Sequence, residues 1–461
     1  MSARLNSSIK WLRISLSLMG ATLVLLLALP FAVPLEHYIP ELQTLASEQL
    51  HEPVVIGGIN IQLLPLPSVV LHQVRVGAQP DATIDSISAR IDPYSLFKSL
   101  KVLTHVDLTG VRLRPKGLEK LPLWLKLESP QQVDLRLVRI HRSYLVLPNL
   151  TLGPLEVDVH LTPQADFESA VVTGDSKKLK ITIKPEAENY RLNIRATRWK
   201  PPYGPPLLFD RLSANILSTS DKMYLRTVSG TMYQGDFEGA AELDWKKDWR
   251  LSGEITMYGV QITPLLKLFT DEISASGGMD VLARFSTHAK ASENLLTNIK
   301  ANATFNIRHG TLYHIDLAKA AQSLSREGVR GGDTRFDELS GKLDLADNEY
   351  HFTDLHVSSG LLDGSGNVRI AADKTVSGNI NVALRGSVGL LNAPLEVVGS
   401  IDDPVLRLKR SAIAGAVIGT AVLGPGIGTT LGIKASEWFE KLGNILKGSP
   451  PKKPDEEPKE K

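Results

Sequence analysis

The sequence predicts a mainly β protein with short helices, an N-terminal transmembrane helix and a glycine-rich, helical C-terminal segment. Three observations support this fold class. Apolar and polar residues alternate with a period of two over most of the chain, which is typical of half-buried strands. Long uncharged stretches lie near both ends. The 36 Gly and 27 Pro residues are spread throughout, as expected for many short strands separated by turns.

The first uncharged stretch, Ile14 to Leu35, is long enough to cross a bilayer as a helix. Arg4, Lys10 and Arg13 precede it, so the positive-inside rule predicts a cytoplasmic N-terminus and an exported remainder. A cleaved signal peptide is the alternative, although the run is long for one and no Ala-x-Ala site closes it. The residues that we expect to anchor the helix in lipid are apolar and central: Leu18, Leu23, Leu25 and Leu27.

After this segment the pattern predicts a helix over Pro34 to Leu50 and then a long series of strands. The alternation is clearest in Val102 to Arg114, where its phase reverses at Gly110, and in the ladder Ile299 to Arg308. A phase reversal at glycine indicates a bulge or a turn. Helical spacing returns only briefly, at Pro93 to Leu100, Pro264 to Phe269 and Ile315 to Arg326. Trp199 to Pro206, rich in proline, is a candidate linker or long turn.

Strands with one apolar face need a partner for that face. A sandwich of two sheets would provide one, and so would a long curved antiparallel sheet whose concave face holds something apolar. The sequence alone leaves both open. Under the second arrangement, six aliphatic and aromatic positions are our candidates for a groove lining: Ile299, Ala303, Phe305, Ile380, Val382 and Leu384.

The second uncharged stretch, Ser411 to Ile433, contains two GxxxG pairs and a central Pro425. Such spacing allows helices to approach closely in a membrane, so we expect two half-helices that insert in a bilayer or cap the sheet. Ala435 to Lys447 follows as an amphipathic helix suited to a membrane interface, and the Pro-, Lys- and Glu-rich tail is predicted to be disordered. The candidate membrane contacts are Ile418, Val422, Ile427, Trp438 and Phe439.

Composition excludes several classes of function. The chain has no cysteine, which rules out disulfides, thiolate catalysis and cysteine-bound metals. Its 52 Lys+Arg nearly balance its 50 Asp+Glu, so no basic field favours nucleic acid. No nucleophile elbow, Walker A, HExxH or dinucleotide fingerprint occurs. The glycine-rich loop Gly328 to Asp333 could cradle a phosphate, but a mobile loop is the simpler interpretation. We therefore expect no catalytic residue, no metal and no cofactor.

Two parts of the chain resemble the AsmA family of bacterial envelope proteins. VVIGGINIQLLPLPSVVLHQVRVG follows the anchor, and FDELSGKLDLADNEYHFTDLHVSSGLLDGSGNVRI with SVGLLNAPLEVVGSIDDPVLRLK lies near the C-terminus. AGAVIGTAVLGPGIGTTLGIKASEWFEKL resembles the glycine-rich end of relatives. The likeness covers about residues 35–90 and 300–445, while the middle matches only in its general pattern.

The resemblance implies a taco-shaped β-groove with an apolar trough that carries phospholipids between the inner and outer membranes. The expected order is then a cytoplasmic N-terminus (1–13), a transmembrane helix (14–35), two groove parts (36–200 and 201–410), a glycine-rich segment with its amphipathic helix (411–447) and a tail (448–461). The expected partners are phospholipid, the inner membrane, and the outer membrane or another envelope protein at the C-terminal end. The expected location is the inner membrane, with most of the chain in the periplasm.

Three functions remain open from the residues. The first is an anchored carrier that shields acyl chains in an apolar groove. The second is a structural or assembly factor for envelope proteins, whose sheet edges pair with partners. The third, an exported enzyme, would need a polar cleft of which the sequence gives no sign.

Overall fold

The computed structural model describes residues 35–62, 68–91, 101–124, 133–147, 150–164, 166–202, 204–268, 275–323, 327–386 and 389–409. The predicted membrane anchor, apart from Leu35, the predicted turn 93–100 and everything predicted beyond residue 409 lie outside them. Among the residues that are described, no helix has the length and apolar character needed to cross a bilayer.

The described chain is mainly β with a few short helices, as the alternation predicted. The strands are β1 (Val54–Val55), β2 (Gly58–Gln62), β3 (Ser68–Val76), β4 (Ala82–Ile91), β5 (Lys101–Thr109), β6 (Arg112–Leu113), β7 (Val133–Leu135), β8 (Leu137–Leu147), β9 (Leu150–Leu161), β10 (Phe167–Gly174), β11 (Leu179–Glu186), β12 (Asn189–Trp199), β13 (Phe209–Ser218), β14 (Lys222–Met232), β15 (Gly235–Asp244), β16 (Trp249–Gln261), β17 (Ala275–Ala289), β18 (Lys300–Tyr313), β19 (Asp333–Ala346), β20 (Glu349–Ser358), β21 (Leu362–Ile370), β22 (Val376–Gly386), β23 (Gly389–Gly399) and β24 (Pro404–Leu408).

The helices are α1 (Ile39–Leu50), α2 (Pro115–Trp124), α3 (Ile262–Leu266) and α4 (Leu317–Gln322), with 3-10 turns at Leu35–Tyr38, Asp175–Lys177 and Ser292–Asn294. The predicted helix after the anchor is confirmed, and α4 lies within the predicted Ile315 to Arg326. Helix α3 begins two residues before the predicted Pro264 and shares residues 264–266 with that prediction. Helix α2 was not predicted. Gly110 has φ +69° between β5 and β6, which continue in one direction along β4 and β8 without a change of register, so the phase reversal marks an irregularity within one strand line and not a turn.

The described residues form two compact units, one within 1–307 plus 343–350 and the other within 308–342 plus 351–461. In the first unit, each strand from β8 to β17 pairs antiparallel with the next. Trp199 on β12 pairs with Phe209 on β13, so the proline-rich stretch is a loop between two paired strands.

The expectation of an antiparallel sheet is wrong near the start of the first unit. Strand β5 pairs parallel with β7 and β8, and β6 pairs parallel with β8. Helix α2 lies between these strands in the chain. A crossover through a helix returns the chain in its original direction, which makes the two flanking strands parallel. The sheet is therefore mixed.

In the second unit, β21 to β24 pair antiparallel in chain order, and helix α4 lies against β22, β23 and β24. Asp316 caps α4 by accepting a hydrogen bond from the Lys319 N–H at 2.8 Å. Leu317, Ala320 and Ala321 are buried beneath the helix. Helix α4 thus covers one face of these three strands.

The glycine-rich loop Gly328 to Asp333 runs beside strand β24. The Val329 N–H donates to the Leu406 carbonyl at 2.7 Å, and the Leu406 N–H donates back to Val329 at 3.1 Å. Since this exchange occupies both backbone groups of Val329, the loop pairs with the strand edge, and that backbone amide does not serve as a phosphate cradle.

Candidate functional site: the apolar face of the sheet

One row of directly paired residues, all aliphatic except Gly239, crosses the sheet of the first unit. Each member is the direct cross-strand partner of the next, from β2 to β17. We call it the apolar row: Ile59, Leu71, Ile87, Leu108, Ile140, Val157, Val172, Ile181, Ile194, Ala214, Val228, Gly239, Ile255 and Ala283. Because side chains of direct partners lie on the same face, the row is continuous across the strands.

The adjacent row lies on the opposite face and is largely polar. This polar row runs from β2 to β14 through Asn60, Val70, Ser88, Asp107, Arg139, Asp158, Val171, Thr182, Asn193, Asn215 and Thr227. It carries ion pairs such as Arg90–Asp107 at 2.9 Å. The sheet is therefore amphipathic, with one face suited to water and the other not.

The side chains of the apolar row are neither buried nor fully exposed. Ala214, at 5% exposure, is the one buried member, and all others retain intermediate exposure. The buried cluster of Val159, Leu161 and Ala170 draws all of its members from neighbouring strands β7 to β11. None of these members comes from a second layer of the chain, which would bury the row more completely. This half-exposed apolar face is the candidate functional site.

Helices α1 and α2 cover the N-terminal end of the apolar face. Ile39, Leu42, Ala46 and Leu50 of α1, with Trp124 of α2, surround a buried cluster on β1, β3 and β4 that also contacts Leu71 and Ile87 of the row. Lys120 ties α2 in place, donating to Asp81 Oδ2 at 2.9 Å and to Glu52. These two carboxylates raise the pKa of Lys120.

Loop 290–299 covers the opposite end, at β17. The Thr287 hydroxyl, on the same face as the apolar row, donates to the Leu295 carbonyl at 2.7 Å, and both residues are buried. We call residues 290–299 the strap. Between the helices and the strap, the row keeps its partial exposure.

Close backbone approaches and register shifts occur in the strands beneath the site. A Cβ atom at Gly230 would overlap the Arg211 carbonyl oxygen, and one at Gly239 would overlap that of Glu254. Register shifts, the sign of β-bulges, occur in β14 between Leu225 and Val228 and in β16 between Met257 and Val260. Bulges and glycine kinks are the features that introduce curvature into sheets.

Charges near the site are paired on the polar face. Lys222 donates to Glu242 Oε1 at 2.6 Å and lies 3.2 Å from Asp244 Oδ2. The bond to Glu242 is the main cause of the raised pKa of Lys222, and Asp244 adds to it. At the β11–β12 turn, Arg191 binds Glu186 through two hydrogen bonds of 2.7 and 2.6 Å, which lower the pKa of that carboxyl.

The predicted groove residues divide into two environments. Ile299 precedes β18, which carries Ala303 and Phe305; all three belong to the first unit and are half-buried. In the second unit Val382 is 0% exposed and Leu384 is 9% exposed, while Ile380 stays partly exposed. Helix α4 lies over this part of the sheet, and Leu395, opposite Ile380 on β23, is 1% exposed.

The alternating pattern predicts most strands of the apolar row, but none of the row's residues is among the predicted groove residues. The signal was present, since Ile181, Ile194 and Ile255 alternate with polar neighbours as clearly as the chosen residues do. The predicted anchor residues and C-terminal membrane contacts lie outside the described residues. Within the residues that the structure describes, no group of three or more His, Asp or Glu is arranged to hold a metal.

Fold and site together define a β-rich protein whose sheet has one apolar face and one polar face. Residues 183–355 match the AsmA family, so this part of the chain is AsmA-like. The match includes the middle strands that the sequence resembled only in general pattern, and it overlaps the earlier resemblance at residues 300–355. No curated protein and no solved structure matches the chain significantly.

Proposed function

We propose that this protein carries or shields the acyl chains of phospholipids on the apolar face, and so contributes to lipid transport between envelope membranes. The observation that carries the proposal is the apolar row, which is unbroken from Ile59 to Ala283 and half-exposed at all but one position. Exposing an apolar face of this kind to water costs free energy unless something apolar covers it.

The energetics favour hydrocarbon as that cover. Moving a hydrocarbon chain from a membrane to water costs about 0.8 kcal/mol per CH₂, so a sixteen-carbon chain costs roughly 12 kcal/mol. A continuous apolar row offsets much of this cost at each point along the sheet. The row contains no charged side chain, so it offers no strong hold on a headgroup, and a lipid can move along it.

The match to the AsmA family supports the same proposal. We further propose that the chain is anchored in the inner membrane by residues 14–35, with a cytoplasmic N-terminus, and that the remainder lies in the periplasm. The uncharged run and the preceding basic residues support this orientation. Residues 411–447 are proposed to contact the outer membrane or another envelope protein.

Native mass spectrometry of the detergent-released full chain tests the proposal. We expect bound phospholipid in the wild type and its loss in Ile194→Glu/Val228→Glu, which places two carboxylates on the apolar row. The matched control is Asn193→Glu/Thr227→Glu, which makes the same change one residue away on the polar row. Both double variants must give a wild-type circular dichroism spectrum.

Bound lipid in the folded row variant at the wild-type level would contradict the proposal. Absence of lipid from the wild type, combined with a discrete protein partner in crosslinking, would instead favour an assembly factor.

A further inference from the structure

The strap lies over the apolar face at the side of the sheet where β17 ends. It leaves β17 after Ala289, which pairs with Trp249, on the side that also carries the β13–β14 and β15–β16 turns. Gly204 lies on the opposite side, in the loop between β12 and β13. Leu208 of that loop donates its N–H to the Tyr233 hydroxyl of the β14–β15 turn at 3.2 Å, which fixes the loop to this side.

The tip of the strap reaches this opposite loop. A methyl group placed on Gly204 would lie 3.3 Å from Leu296 Cδ1, so the Leu296 side chain contacts the glycine. Gly204 itself is exposed and has φ +85°. The contact is an apolar side chain against an exposed loop, a type of contact that opens easily.

The base of the strap is held more firmly. The Thr287–Leu295 hydrogen bond is buried, at 2.7 Å. Successive turns stiffen the segment: the Leu295 N–H donates to Ser292, and the Thr297 N–H and hydroxyl both donate to the Asn294 carbonyl. Leu296 directly follows the fixed Leu295, so the contact with Gly204 opens by movement of the Leu296 side chain or of the Gly204 loop while the strap itself stays in place.

We propose that the strap is a gate on the acyl-chain path, and that a phospholipid passes beneath it only when the Leu296–Gly204 contact opens. This inference rests on the proposed function of the apolar face. A hydrocarbon tail can lie on the row under the strap, but a hydrated headgroup projecting from the sheet cannot cross a closed strap without losing its water. The gate therefore controls movement of lipid and not its binding.

Crosslinking tests the gate, because the chain has no natural cysteine. Pro205→Cys with Thr297→Cys keeps Leu296 and Gly204 and allows a short bis-maleimide to lock the strap shut. The matched control, Ser220→Cys with Lys246→Cys, links two neighbouring turns on one side of the sheet, where the Trp245 indole N–H already donates to Ser220 at 3.2 Å. The full chain is assayed for transfer of a fluorescent phospholipid between phosphatidylethanolamine–phosphatidylglycerol vesicles.

Locking the strap is expected to slow transfer about fivefold or more while bound lipid, measured by mass spectrometry, stays at the wild-type level. The locked control pair should transfer at the wild-type rate. A second variant, Leu296→Ser, weakens the tip contact and should speed transfer about twofold.

If the crosslinked 205–297 variant transferred phospholipid as fast as the crosslinked control, the gate proposal would be wrong, while the proposal of lipid binding would stand. So would failure of the 205–297 pair to crosslink under conditions that link the control pair. If no form of the protein binds lipid, the proposed function fails, and the gate fails with it.

Discussion

Gly230 and Phe237 are direct partners across β14 and β15, and a methyl group on Gly230 would lie 3.0 Å from Phe237 Cε1. The same methyl group would overlap the Arg211 carbonyl oxygen. We predict that Gly230→Ala destabilises the first unit by about 1–3 kcal/mol, because the backbone must shift to make room. Thermal unfolding measures this. Gly58→Ala is the control, since nothing lies within 4 Å of a Cβ there, and equal stability of the two variants would refute the close approach.

The second prediction concerns the second unit, where helix α4 lies against β22. Val382 is 0% exposed on β22, so Val382→Asp would bury an unpaired carboxylate and should cost about 3–5 kcal/mol. Asn381→Asp, at the exposed neighbouring position, should be near neutral. Denaturant unfolding followed by circular dichroism compares the two. Equal midpoints would mean that α4 does not seal this face in solution.

The pairing of Val329 with Leu406 is tested by removing one donor. Val329→Pro deletes the N–H that donates to the Leu406 carbonyl at 2.7 Å. We expect the Leu406 amide to exchange with solvent roughly tenfold faster, because losing one backbone bond costs about 1 kcal/mol or more. Val329→Ala keeps both backbone bonds and should preserve protection. Unchanged exchange in the proline variant would contradict the pairing.

Acid should remove one contribution to stability at the β11–β12 turn. The pKa of Glu186 is lowered, mainly by its hydrogen bonds from Arg191. A carboxyl with a lowered folded-state pKa stabilises the protein above its unfolded pKa of about 4.3, and that contribution disappears as pH falls through the lowered value. Arg191→Met should therefore lower the melting temperature at pH 7 and have no effect near pH 2. If Arg191→Met lowered the melting temperature by the same amount at pH 7 and near pH 2, the stabilisation would not come from the ionised Glu186.

Much of the fold was predictable from local patterns. Alternation in stretches such as Ile299 to Arg308 identified strands, and the phase reversal at Gly110 identified a local irregularity, because both signals arise within a few residues. Helix α2 was missed, although Pro115 at its first position is a common helix start. Its amphipathic signal is short and contains Pro122. The parallel pairing that follows depends on the crossover, which no local pattern reveals.

The sequence predicted the type of site, an apolar face of a sheet, but not its position. The sequence indicated an apolar face but could not tell which strands lie beneath another element. Val382 and Ile194 look alike in sequence, since each is a β-branched aliphatic residue that follows an asparagine in an alternating stretch. In the fold Val382 is fully buried on a part of the sheet that α4 covers, while Ile194 stays half-exposed. The covering helix lies about 60 residues before Val382 in the chain, and contacts at that separation are set by tertiary structure.

The most direct test of the central claim is photo-crosslinking of the full chain with a phospholipid that carries a diazirine on its acyl chain, followed by peptide mapping. We predict adducts on the apolar row, at residues such as Ile181, Ile194 and Ile255. Their neighbours on the opposite face, Thr182, Asn193 and Glu254, should remain unlabelled. Labelling spread equally over both sets, or confined to the opposite face, would contradict the account.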